Sequence, residues 1–235
     1  MPLAKAAVPR AFDRIAGTYD LLTGANPGYR RHLRESAARL EPLPPSDGPP
    51  RVLDLCCGTG LSTAALRDAF PTGELVALDA SEGMLAKARQ KTDLDARWVL
   101  GDATDPAAAG VEGPFDAVFM AYGLRNLPDP DRGLANVLAL LRPGGLLAVH
   151  EYSLDGSARA RWTWNAVTLG VIVPGGLLTA GTADIYRYLR RSVLAFDRAE
   201  QLRRRLLRAG FRQVRVHEAG GWQKGIVHTF VARKP

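Results

Sequence analysis

The chain has 235 residues, 46% hydrophobic and 23% charged, with a formal net charge of +7. That is room for one domain with a sizeable core, and the ordinary globular composition excludes disordered, collagen-like and low-complexity classes. The two cysteines, Cys56 and Cys57, are adjacent, so no disulfide framework can form from them and a reducing, cytoplasmic compartment is expected.

Residues 1–10 hold no apolar run of signal-peptide length. Residues 9–40 read as helical: Ala11, Phe12, Ile15 and Tyr19 recur at helical spacing, and a second helix follows Pro27. The proline-rich stretch 41–50 reads as a linker. The pattern then changes. Short apolar runs at Val52–Leu55, Leu75–Leu78, Arg97–Leu100, Phe115–Met120 and Leu146–Val149 alternate with helix-forming segments. One of these, Asp131–Leu141, is expected to stop at Pro143-Gly144-Gly145. Such alternation predicts a mostly parallel sheet covered on both faces. Trp162–Leu178 is apolar, and its Pro174-Gly175-Gly176 predicts two short helical pieces, too interrupted to cross a bilayer. Asp197–Ala209 reads as a helix, followed by strands at 214–216 and 226–232. The link between those strands is too short for a helical crossover, so they should be antiparallel.

Asp54-Leu55-Cys56-Cys57-Gly58-Thr59-Gly60 lies at the first strand-to-helix turn. Gly58 and Gly60 permit a tight bend and close approach of a ligand to backbone. A dinucleotide fingerprint needs a third glycine, and Thr63 stands in its place. S-adenosylmethionine carries no phosphate, and its amino acid end carries an ammonium that Asp54 can bind directly or through water. Asp79, at the end of the second strand, can accept two ribose hydroxyls, which suits NAD equally. Asp102, after the third strand, could bind an adenine amino group. Acids at three successive strand ends favour a nucleoside ligand over three helix caps.

Several segments resemble the ubiquinone/menaquinone biosynthesis C-methyltransferases: FDRIAGTYD (12–20), VLDLCCGTG (52–60), ALDASEGML (77–85), FDAVFMAYGLRNLPD (115–129), LLRPGGLLAVHEYS (140–153) and YRYLRRSV (186–193). The resemblance implies a Rossmann-like class I methyltransferase fold: a mostly parallel seven-stranded α/β sheet, an antiparallel C-terminal strand and a helical N-terminal cap. It also implies S-adenosyl-L-methionine as cofactor, with S-adenosyl-L-homocysteine as product. Carried over by position, cofactor contacts fall on Thr63, Asp79, Asp102 and Ala103, with Ala121 where serine is common; Ala80 and Met84 join them. The implied acceptor is a prenylated quinol, methylated at carbon. The chain departs from the family at His150, where an apolar residue is usual, and at Leu22-Thr23 and Lys224–Thr229. O- or C-methylation of another phenolic molecule is therefore kept as an alternative, as is a nicotinamide-binding or non-catalytic nucleoside-binding protein.

A phenolic carbon becomes nucleophilic when its neighbouring hydroxyl, of pKa roughly 10, ionises. Arg125 is expected to stabilise that phenolate, since arginine does not itself act as a base. His150 is the expected general base and Tyr19 a further catalytic candidate. Tyr122, Asn126, Glu151, Trp162 and Tyr186 are expected around the acceptor. One domain is expected: cap 1–45, cofactor core 51–153, lid 154–195, and C-terminal helix and hairpin 196–235. The lid could enclose an isoprenoid tail or form a homodimer surface. The arginines at 187–191 and 203–208 could rest on anionic lipid. Nucleic acid is not expected as a partner, because Met120-Ala121-Tyr122-Gly123 replaces the Pro-Pro segment of base-amino methyltransferases. Four scattered histidines offer no metal-ligand spacing.

Overall fold

A computed structural model describes residues 3–43 and 48–235. The centre of the expected linker and the first two residues lie outside the described residues; the linker's described flanks carry neither helix nor strand. The seven strands are β1 (Arg51–Leu55), β2 (Glu74–Asp79), β3 (Ala96–Leu100), β4 (Phe115–Ala121), β5 (Leu141–Tyr152), β6 (Arg212–Glu218) and β7 (Val227–Arg233). They form one sheet in the order β3-β2-β1-β4-β5-β7-β6. The first five are parallel, and β7 runs antiparallel to both β5 and β6, as the short link between the last two strands predicts.

Val52 through Leu55 and all but the last residue of β4 are buried, which follows from helices on both sheet faces. Alternation along β1 divides the core. Val52 packs with α2 (Tyr29–Ala38) and α3 (Leu61–Ala69) through Leu33, Ala37, Ala65 and Leu66. Leu53 and Leu55 face the side of α5 (Pro130–Leu140) and α9 (Ala199–Arg208), with Leu134, Val137, Leu202 and Leu206. Strand order reverses around β1 and β4. Ligands in open α/β sheets bind in the crevice at that point, outside the strands' carboxyl ends.

Two sequence expectations change. Pro143-Gly144-Gly145 lies inside β5 rather than in a loop, so this strand starts at Leu141 instead of at Leu146, where its apolar run begins. The register slips between Phe115 and Ala117, and Gly144 takes φ 78°, so the strand admits these residues only at its irregular beginning. The second change concerns the lid. Residues 158–180 form one continuous helix, made of α6 (Ala158–Val167), a π-helical turn (Thr168–Ile172) and α7 (Val173–Ala180). The wider turn accommodates Pro174, which lacks an N–H and would crowd a regular α-helical carbonyl. Gly176 serves packing instead of a break: a Cβ there would lie 2.1 Å from the Tyr186 ring of α8 (Asp184–Ala195). This helix is long and apolar enough to cross a membrane by length and composition. The expectation that Pro-Gly-Gly interrupts it is therefore corrected.

Within the expected cap, 1–45, α1 (Val8–Gly24) has Val8, Ala11, Ile15 and Ala16 buried against Met84 of α4 (Glu82–Ala88) and Ile185, Tyr186 and Tyr188 of α8. Hence α1, the 158–180 helix and α8 close over the carboxyl end of the sheet.

Candidate functional site

A cavity of about 770 Å³ lies under this roof. Its size suits a small-molecule or cofactor site. One part of its lining comes from the β1–β3 strand ends: Cys56, Gly58, Asp79, Ala80, Asp102 and Ala103, with Met84. Another comes from the turn after β4, with Ala121, Tyr122, Gly123, Arg125 and Asn126. Apolar and aromatic residues of α1, the long helix and α8 complete it.

The glycine loop is built by backbone geometry. Cys56, Gly58 and Gly60 take φ of 66°, 56° and 83°, in the left-handed region that favours glycine. Cys56 adopts it without being glycine, held by its N–H donating to the Leu78 carbonyl at 2.8 Å. A Cβ on Gly58 would meet nothing within 4 Å, so the backbone itself faces open cavity. Gly58 N–H donates to Asp79 Oδ2 at 2.8 Å, and Ser81 N–H to Asp79 Oδ1 at 2.9 Å. A carboxylate has about four acceptor sites, so capacity remains for a diol. Burial raises the Asp79 pKa, opposed by N–H groups of Ser81, Gly58 and Ala80.

Asp54 is fully buried beneath this loop and does not line the large cavity. Its Oδ2 accepts from Ser62 and Thr63 hydroxyls, each at 2.7 Å, while Oδ1 has no partner. Burial pushes its pKa up to about 7, against the pull of those hydroxyls. A smaller cleft of about 30 Å³, lined by Gly58, Thr59, Ser62 and Ala121 among others, has room for a water. Asp54 lines neither this cleft nor the large cavity. Thr63 and Gly60 likewise stay outside the cavity lining: Thr63 braces Asp54, and Gly60 turns the chain where a Cβ would lie 3.0 Å from Trp98.

An ammonium near Asp54 should lower its pKa, so ligand binding near pH 7 should release protons. Calorimetry of S-adenosylhomocysteine binding at about pH 6.5, in buffers of different ionisation enthalpy, should show that release in the wild type and lose it in Asp54→Asn. The same buffer dependence in both proteins would refute the assignment.

Two acids that sequence reasoning missed clamp the cap over the loop. Asp13 Oδ1 accepts from Ser81 Oγ at 2.6 Å and Gly83 N at 2.9 Å. Asp20 accepts from Thr59 Oγ1 and from Lys91 Nζ, the latter at 2.9 Å. Both belong to the FDRIAGTYD segment, and their separation of two helical turns puts them on one face of α1. That spacing was the available signal.

Of the expected residues, Tyr19, Arg125, Tyr122, Asn126 and Tyr186 line the cavity, joined by Tyr29 and Tyr152, which were not anticipated. Tyr29 stacks on Tyr122 with centroids 5.5 Å apart, and Tyr122 lies 4.7 Å from Tyr152. Tyr186 Oη is buried without a partner. Arg125 is 3% exposed and forms an ion pair with fully buried Glu151. Glu151 also accepts from the backbone N–H groups of Arg125 at 3.1 Å and Tyr152 at 2.9 Å, and Arg125 Nε donates to Ser192 Oγ at 3.0 Å. Burial raises the Glu151 pKa, opposed by that guanidinium and those N–H groups. Asn126 is a brace, donating to the Tyr122 carbonyl at 3.1 Å and accepting from Tyr188 Oη at 3.2 Å.

Three of the residues expected in catalysis or around the acceptor also fall outside the lining: Glu151 supports Arg125 from behind, Trp162 is 72% exposed on the roof, and His150 is 1% exposed. His150 Nε2 meets Tyr122 Oη at 2.9 Å, and its Nδ1 meets Ser36 Oγ at 3.0 Å and Thr229 Oγ1 at 2.9 Å. Burial lowers its pKa to about 3, aided by repulsion from His32, His228 and Arg39, so it is neutral at pH 7. It could reach a ligand only through Tyr122. Among the described residues no cluster of His, Cys, Asp or Glu could hold a metal ion.

Residues 1–234 match the model of the ubiE/COQ5 methyltransferase family. The demethylmenaquinone methyltransferase of Deinococcus radiodurans is 37% identical over 214 residues, covering 88% of this chain and 85% of that protein. The ubiquinone/menaquinone biosynthesis C-methyltransferase UbiE of Ectopseudomonas mendocina is 32% identical over 235 residues, covering 97% and 89%. Among solved structures, the CurJ carbon methyltransferase is 26% identical with TM-score 0.61, covering 83% of this chain and 50% of that one. The cyclase SpnF is 20% identical with TM-score 0.68, covering 100% and 97%. A cyclase and a methyltransferase on one fold show that the fold alone does not set the chemistry.

Proposed function

Because the chain belongs to the ubiE/COQ5 methyltransferase family, we propose that its acceptor is the ring carbon of a prenylated quinol of the demethylmenaquinone kind. The enzyme is an S-adenosylmethionine-dependent methyltransferase. When bound, that cofactor supplies an electrophilic methyl group on a cationic sulfur. The residues present fit it: Gly58 leaves backbone open to the cavity, Asp79 has acceptor capacity for ribose hydroxyls, and Asp102 and Ala103 stand by for the base. Asp54, buried behind the loop with one unpartnered oxygen, is the acid assigned to the ammonium.

The observation that carries the acceptor reading is Arg125, a nearly buried cation on the β4 side of the cavity, where Tyr29, Tyr122 and Tyr152 also line it. In a low-dielectric site a fixed guanidinium lowers the pKa of a neighbouring phenol and stabilises the anion that makes the ring carbon nucleophilic. Glu151 and Ser192 hold the guanidinium in one orientation. Tyr29, Tyr122 and Tyr152 offer faces for a flat ring, and Val167, Val171, Ile172 and Leu189 offer apolar wall for a prenyl tail. Strand order separates the two ends: Asp79 and Asp102 follow β2 and β3, whereas Arg125 follows β4, on the other side of β1. This suits in-line transfer between two ligands held side by side. No histidine lines the cavity among the described residues, so the chain's part is to acidify the acceptor rather than to take its proton through an imidazole.

Incubation with S-adenosylmethionine and a short-chain demethylmenaquinol should give a product heavier by one methylene, with the new methyl on ring carbon by NMR. A second reading, methylation of another phenol at carbon or oxygen, is favoured by polar His150 behind Tyr122 where the family usually has an apolar residue. No product from the quinol, with turnover of simpler phenols, would establish that second reading instead.

A further inference from the structure

We propose that the outer face of the 158–180 helix is a docking surface for an anionic lipid bilayer, on which the enzyme lies without spanning it. This inference goes beyond the acceptor reading and does not depend on it, because it rests on the surface alone. Between Arg161 and Asp184 the chain carries no charged residue. Trp162, Leu169, Val171, Leu177 and Leu178 are nevertheless exposed, Leu178 by 87%, and Leu21 of α1 is exposed as well. Among the described residues the other exposed large apolar side chains, Leu100, Leu207 and Val216, belong to different elements. Only 17% of the most apolar window of the helix is buried, whereas a soluble core helix would be mostly buried. An apolar stretch concentrated on one exposed helix marks an interaction site rather than random exposure.

The charges around that face indicate what covers it. Arg159 and Arg161 are exposed at the start of the helix, and Arg187 and Arg191 on α8. Arg190 of α8 ties the two helices together, its Nε donating to Asn165 Oδ1 at 2.8 Å. Two exposed acids stand at this margin: Asp184 is 3.7 Å from Arg187, and Asp155 accepts from Ser157 N ahead of the helix. An apolar helix face bordered by arginines matches an interfacial helix on anionic lipid. The helix does not span, because both of its ends pack on the same globular body. Ala160 and Trp164 are buried with Tyr152 and Val227, and Gly176 is buried against the Tyr186 ring. The inner side of this helix, at Val167 and Ile172, lines the cavity, so a lipid-soluble acceptor would meet the roof directly from the bilayer.

Sedimentation of the full chain with vesicles tests this. Wild type should pellet with vesicles of mixed phosphatidylglycerol and phosphatidylcholine, and far less with phosphatidylcholine alone. Leu177→Asp with Leu178→Asp should reduce the bound fraction on anionic vesicles by about tenfold or more. Arg159→Gln, Arg161→Gln and Arg191→Gln together should weaken anionic binding and reduce its salt dependence. Neither set touches the cavity lining, so S-adenosylhomocysteine affinity should stay at the wild-type level, which also verifies folding. Wild type that ignores both vesicle types would overturn the proposal, as would variants that bind like wild type. A lipid-indifferent dimer that Leu177→Asp with Leu178→Asp converts to a monomer would assign the face to a second copy of the chain. Vesicle binding with no quinol methylation would leave this proposal standing and reject the acceptor reading.

Discussion

Arg125→Ala should lower turnover at least about a hundredfold while S-adenosylhomocysteine binding changes little, the expected signature when one preorganised group that stabilises developing charge is removed. The two measurements separate because Arg125 follows β4, away from the β2 and β3 ends that carry Asp79 and Asp102. A structural cost comes with it. Glu151 would be left buried without its cation, a loss on the order of 3–5 kcal/mol for a broken buried pair. The double variant Arg125→Ala with Glu151→Gln removes that uncompensated charge. It should recover stability in urea melts but not turnover. If turnover returned along with stability, Arg125 would be only a brace for the β4 loop.

The second large effect is on stability in acid. The folded pKa of His150, about 3, lies below the ordinary histidine value of 6.5 because the ring is buried. The contribution is therefore whole above about pH 6.5 and is lost as pH falls toward 3. By about pH 4.5 the loss should reach about 3 kcal/mol. Paired replacement, His150→Leu with Tyr122→Phe, removes both members of one hydrogen bond. It leaves Ser36 and Thr229 bonded to each other at 2.7 Å, with Ser36 still donating to the His32 carbonyl at 2.6 Å. Urea midpoints compared at about pH 7 and pH 4.5 should show a loss smaller by about 3 kcal/mol in the double variant; equal losses would dismiss the linkage. Turnover at neutral pH should stay within about tenfold of wild type, whereas removal of a general base typically costs about a hundredfold or more.

His150 also shows what sequence reasoning could not resolve. It and Glu151 are consecutive in β5, so their side chains point to opposite faces of the sheet. Both are buried, and nothing in the local sequence says which of them meets Arg125. Pairing decides it: His150 lies opposite Thr229 of β7 and reaches that hydroxyl and Ser36 of α2, while Glu151 turns to Arg125. Trp162 and Pro174 failed for a related reason. An apolar lid segment has no solvated face by which periodicity could orient it, and a proline reads as a break unless a π-helical turn absorbs it.

What the sequence determined alone were the features written in local chemistry: acids after successive strands, glycines where the backbone turns left-handed, a C-terminal hairpin forced by its short link, and the Arg125 motif. Only the tertiary structure decided which side chains share the cavity. Asp13 and Asp20 became clamps, Asp54 went beneath the loop, and Tyr29 and Tyr152 joined the acceptor wall. The physical reason is that strand and helix periods assign a residue to a face, whereas the partner of that face is set by contacts between segments far apart in the chain, as when Ser36 meets His150 and Thr229.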